Sequence, residues 1–131
     1  MNFHLEELLR LPQVSQRSFS ELVNFLGEHQ VYHFIFLYGY KNPKPQAIDL
    51  CVILKELLAY YPQFSATLIS EDSEDAYRKW AQMQARPSLA LMYGMYQCEK
   101  MPKLALWNEY IQKINQAMEY DVNQFQKLEI I

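Results

Sequence analysis

The stretch from Val31 to Tyr61 most narrows what this chain can fold into. Its first part, Val31–Tyr38, is almost continuously apolar and rich in β-branched and aromatic residues, the pattern of a strand buried on both faces. Gly39, Pro43 and Pro45 then interrupt regular structure. The residues from Ala47 to Tyr61 are apolar on nearly every side, with only Asp49, Lys55 and Glu56 intervening, so they suit a helix covered by protein on most faces. A buried strand, a tight loop and a buried helix make the start of an α/β unit. In open α/β sheets, ligands meet the loops at the carboxyl ends of strands, which directs attention to the loop Tyr40–Gln46.

The flanking segments extend this unit. Phe3–Leu11 reads as a short amphipathic helix, or a loosely docked arm, stopped by Pro12. Ser18 and Glu21 have the spacing of a capping box, followed by the stripe Phe19, Leu22, Val23, Phe25 and Leu26, which Gly27 ends. Phe64–Ser70 reads as a second strand. Glu71, Asp72, Glu74 and Asp75 open a helix over Ser73–Met83, where acidic groups complement the helix dipole. Ser88–Tyr93 and Tyr96–Met101 make a hairpin turned at Gly94 and Met95. The last helix, Leu104–Met118, presents Leu104, Trp107, Ile111, Ile114 and Met118 on one face, with Trp107 and Tyr110 expected in the core. The tail Glu119–Ile131 reads as a helix extension or a frayed end. The expectation is a single α/β domain over residues 1–131, with its core over about 18–118. It is a three-layer sandwich whose central mixed sheet of four or five strands carries helices on both faces.

Several function classes fall away on composition. The chain has 131 residues, half of them hydrophobic, and a formal net charge of -3 with no basic run, which argues against nucleic acid as a partner. No segment is apolar for long enough to span a membrane. The start, MNFHLEELLRLPQ, lacks the features of a secretory signal, so a cytoplasmic location with reduced thiols is expected. Cys51 and Cys98 lie far apart and form no CxxC. His4, His29 and His33 have no metal-ligand spacing, and no Ser, His and Asp set suggests a triad. No catalytic residue, metal or cofactor is therefore assigned.

The order of elements, with Pro87 just before the penultimate strand, resembles the thioredoxin fold. A closer resemblance is to the hydrogenase-operon accessory proteins of the HyaE/HupG family, which are thioredoxin-like and lack the redox motif. It rests on the apolar strand, the loop Tyr40–Gln46, Asp49, the run Val52–Leu58, and Tyr61-Pro62. Arg86-Pro87-Ser88-Leu89, the hairpin, and Trp107-Asn108-Glu109-Tyr110 complete it, over residues 18–118. Two departures stand out: the loop is more basic than expected for the family, and Gln46 stands where the family has an acidic residue. The resemblance implies a cis Arg86–Pro87 bond. It also implies a role in maturing the small subunit of nickel–iron hydrogenase, by binding its twin-arginine signal peptide before export.

These readings make the chain a non-redox accessory protein or chaperone whose partner is a client protein or signal peptide. The peptide-binding surface would comprise Tyr38, Tyr40, Pro43, Pro45, Asp49, Arg86 and Pro87, holding an extended segment against the loop. Asp49 would offer a carboxylate to a cationic ligand such as arginine, and the acidic residues 71–75 would steer a basic peptide. Two alternatives stand beside this: a thiol oxidoreductase using Cys51 or Cys98, and a structural module that self-associates into a homo-oligomer. Against the first, Cys51 sits more than a turn into an apolar helix, where a thiol is inert.

Overall fold

The computed structural model describes residues 2–129; Met1, Ile130 and Ile131, the last two within the tail considered above, lie outside the described residues. The helices are α1 (Phe3–Leu9), α2 (Phe19–Glu28), α3 (Pro45–Tyr60), α4 (Glu74–Ala81) and α5 (Trp107–Glu119). The strands are β1 (Val14–Arg17), β2 (Tyr32–Leu37), β3 (Ser65–Ile69), β4 (Ser88–Tyr93), β5 (Tyr96–Met101) and β6 (Gln126–Lys127). They form one mixed sheet in the order β1-β3-β2-β4-β5-β6. β2 runs parallel to β3 and antiparallel to β4, so it is the central strand on which both halves of the sheet depend.

Alternation along β2 sorts the core into two layers. Phe34 and Phe36 point to one face, where they pack with α1, α3 and α5 through residues such as Leu5, Leu54 and Ile114. Ile35 and Leu37 point to the other, against Leu22 and Leu26 of α2 and Tyr77 and Trp80 of α4. All four are fully buried, each worth roughly 1.5–3 kcal/mol when removed from water. The capping box at Ser18 and Glu21 is formed in both directions, which sets the start of α2.

The sheet has six strands rather than four or five, because two short edge strands escape the sequence pattern. β1 buries only Val14, while Ser15 and Gln16 are exposed; its pairing to β3, not its own hydrophobicity, holds it extended. The tail does not prolong α5. It turns back, pairs as β6 with β5, and buries Leu128 beside α4, where the Trp80 indole N–H donates to the carbonyl of Glu129 at 2.7 Å. At the other end, Phe3–Leu9 is a helix docked on α3 through Leu5 and Leu8, and it stops before Leu11.

Helix α5 begins at Trp107, so Leu104 and Leu106 precede it in an extended segment. The face it buries is Tyr110, Ile114 and Ala117. Trp107, expected in the core, sits in the unpaired first turn and is 36% exposed. Its ring instead meets that of exposed Tyr60 edge-on, at 5.9 Å between centroids.

Candidate functional site

The site is built where β2 ends and β4 begins. The register places Leu37 opposite Ser88, so the residues after β2 meet those before β4. Gly39 has φ +86°, a conformation that favours glycine, and a Cβ there would lie 3.1 Å from Cβ of Arg86. The Arg86–Pro87 peptide bond is cis. Gly39→Ala is expected to cost about 1–2 kcal/mol from backbone strain alone, with the crowding of Arg86 added to it. Urea unfolding would check this, and an unchanged midpoint would show that the loop yields freely.

The turn after β2 is held by a carboxylate from the start of α4. Glu74, the first residue of α4, is buried; it accepts from the backbone N–H of Gly39 at 2.7 Å and of Tyr40 at 3.0 Å. The carboxylate thus sits at the amino end of α4 with each oxygen held by one backbone amide of the loop. The sequence pattern put Glu74 among solvated helix-start acids; the fold turns it inward, because β2 ends beside the start of α4. The carboxylate that holds the loop backbone is therefore Glu74 and not Asp49.

Asp49 is exposed on the fifth residue of α3, since that helix starts at Pro45, two residues earlier than the pattern indicated. Proline fits a helix's first position, where no intrahelical donor is required. Tyr38 is buried, its hydroxyl accepting from the Asn2 side-chain amide at 2.6 Å. Tyr40 is half-buried, and burial, with Glu74 nearby, pushes its hydroxyl up to about 12. Pro43 and Pro45 are exposed on the loop.

Of the seven residues proposed for peptide binding, Arg86 and Pro87 line a groove of about 360 Å³ at this end of the sheet. Lys44, Gln46 and Leu50 form the α3 side of it, and Pro102, Lys103 and Leu104 close it from the end of β5. None of these six was among the seven, and the last three lie outside the loop and helix that the sequence pointed to. A signal existed, since the hairpin register pairs Leu89 with Met101 and thereby sets residues 102–104 beside 86–88. An acidic depression adjoins the groove, lined by Lys41, Glu71, Asp72 and Asp75. The Arg86 guanidinium links the two, donating to Asp75 at 3.2 Å, and Asp75 also meets Lys41 and Arg78.

The thiols lie elsewhere. Cys51 is 1% exposed, and burial pushes its thiol up to about 12. Cys98 is also buried and pushed up to about 11. Neither lines the groove at Pro87. Among the described residues no three His, Cys, Asp or Glu side chains are grouped to hold a metal ion, and no helix is long and apolar enough to cross a membrane.

Comparison with known proteins adds a family and a fold. The family model described as "Hydrogenase-1 expression protein HyaE" matches residues 4–110. The hydrogenase expression/formation protein HoxO of Azotobacter vinelandii is 28% identical over 85 residues, which cover 65% of this chain. The chain spans 57% of that protein's length over the match. Among solved structures, mitochondrial thioredoxin 3 from Saccharomyces cerevisiae superposes with a TM-score of 0.64 at 15% identity, covering 79% of this chain and 94% of its own. A mutant thioredoxin from Halobacterium salinarum gives 0.65 at 16% identity, covering 83% and 94%. At such identities the likeness establishes the thioredoxin fold and nothing of the chemistry.

Proposed function

This chain belongs to the hydrogenase-1 expression protein HyaE family, and on that premise we propose that it is a hydrogenase accessory protein that captures a client segment without thiol chemistry. The observation that carries this reading is the groove at Pro87. It has the position where a thioredoxin fold presents a peptide site, yet its helix opens with Lys44-Pro45-Gln46-Ala47 and carries no sulfur there. A thiolate is the nucleophile of disulfide exchange, and a thiol raised to about 12 is protonated at neutral pH.

The client is a segment of the hydrogenase small subunit, and the finer form of the reading is its twin-arginine signal peptide, bound in the cytoplasm before export. The acidic depression at Glu71, Asp72 and Asp75 suits the arginine pair, and the groove beside it receives the neighbouring part of the segment. Calorimetry with a twin-arginine signal peptide tests this, with saturable binding expected. No heat and no displacement, with the fold intact, would remove the signal-peptide form. Thiol titration provides the second test. Cys51 is expected to react slowly in the native protein and fully after denaturation; a fast, acidic thiolate would restore the oxidoreductase alternative.

A further inference from the structure

The groove over Pro87 has a charge that an arginine-bearing segment does not require. Lys44 from the start of α3, Arg86 before β4 and Lys103 after β5 converge on it from three separate elements, and no acidic side chain lines it. The chain as a whole is net negative, so this concentration of cations runs against its composition. Arg86 has an ion-pair partner in Asp75, whereas the exposed Lys44 and Lys103 have none among the described residues. The groove wall also carries Leu50, Pro87 and Leu104. Leu104 leads outward to a ledge of Ala105 and exposed Leu106 that shares Leu104 with the groove and has Glu109 at its far side.

We propose that the segment of client lying over Pro87 is acidic and apolar, its carboxylates meeting Lys44, Arg86 and Lys103 while neighbouring apolar side chains rest on Leu104 and Leu106. This rests on the proposed capture of a client segment and specifies the chemistry of the part that enters the groove. Like charges facing each other in an interface are costly, so an arginine pair is excluded from the groove. It lies instead on the acidic side of the Arg86–Asp75 pair. One client segment spanning both zones therefore carries its positive charges on one side of Arg86 and its negative charges on the other.

The test uses the intact protein and two probes: an extended Val, Thr and Leu peptide carrying glutamates, and its counterpart with arginines in the same places. Fluorescence anisotropy is expected to show the acidic peptide binding roughly tenfold or more tightly at low salt, with the advantage shrinking as salt is added. Lys44→Glu combined with Lys103→Glu, both on exposed side chains, is expected to reverse the preference while circular dichroism and the unfolding midpoint stay unchanged. Equal binding of the two peptides, or an unaltered preference in the double variant, overturns the assignment. Inorganic phosphate competing as strongly as the acidic peptide also overturns it, since a bare anion site makes no use of the ledge. A precursor of the hydrogenase small subunit separates this inference from the reading beneath it. Equal retention by wild type and double variant overturns the charge assignment alone, whereas retention by neither overturns client capture as well.

Discussion

Glu74→Gln is expected to lower the unfolding free energy by about 2–3 kcal/mol. The carboxylate uses one oxygen for the Gly39 N–H and the other for the Tyr40 N–H. A glutamine of the same shape keeps one acceptor and turns an NH₂ group toward the second amide. One buried donor then faces another donor, and the missing bond costs more than its presence gained. Glu74→Ala removes both acceptors and is expected to cost more. Urea unfolding reads the stability, and amide exchange reads the cause. The Gly39 and Tyr40 amides should lose protection in the glutamine variant while β2 amides keep theirs. A midpoint shift without faster exchange at these two positions would place the energy elsewhere. The same substitution is expected to weaken peptide binding, because Gly39 lies against Arg86, which lines the groove.

Acid should destabilise the protein through His33 as soon as the pH falls below about 6.5. His33 is fully buried between β2 and β3, with Nδ1 2.6 Å from the Ser65 hydroxyl and Nε2 2.7 Å from that of Thr67. Arg17 donates to Thr67 at 2.7 Å and places its guanidinium over the Phe25 ring. Burial, and then the Arg17 and His29 charges, push His33 down to about 3. In the unfolded chain the imidazole protonates near pH 6.5, so below that pH the unfolded state binds more protons than the folded one. The contribution is therefore fully present above pH ~6.5, falls by about 1.4 kcal/mol per pH unit, and is gone below pH ~3. Between pH 7 and pH 5 the loss from this residue should be about 2 kcal/mol. His33→Gln keeps a donor and an acceptor but cannot titrate. Its stability should depend on pH less steeply than wild type over that window, whatever its absolute value. Parallel curves for the two proteins would rule His33 out as the acid-sensitive group.

Much of the fold was legible because its strongest signals are local. Val31–Tyr38 reads as a buried strand from composition alone, and Ser18 with Glu21 marks a helix start through groups three residues apart. The hairpin at Gly94 and the helix after the proline loop follow in the same way. Where the pattern failed, the deciding partner was distant in sequence. β1 and β6 are too short and polar to be recognised apart from the strands they join. Trp107 looked like core because its spacing matched the buried stripe, but spacing does not say where the first turn begins. Asp49 and Glu74 are each a single acid near a helix start. Only the packing of α4 beside the end of β2 shows that the second is buried on the loop and the first faces water.

The sequence by itself determined the α/β layering, the proline-bearing loop at the carboxyl end of the central strand, and the absence of sulfur within that loop. These follow from hydrophobic period, backbone restriction and residue identity, all of which act within a few residues. The tertiary structure alone decided which residues surround the loop. It brought Lys44, Arg86 and Lys103 together from three elements, aimed Glu74 inward, and enclosed both thiols. The physical reason is that charge and burial depend on what lies across space, and the chain's neighbours across space here are 35 residues apart for the Gly39–Glu74 contact. The opening stretch thus supplies one wall of the candidate site through Lys44, Gln46 and Leu50, while Arg86, Lys103 and Glu74 reach it from segments far away in the chain.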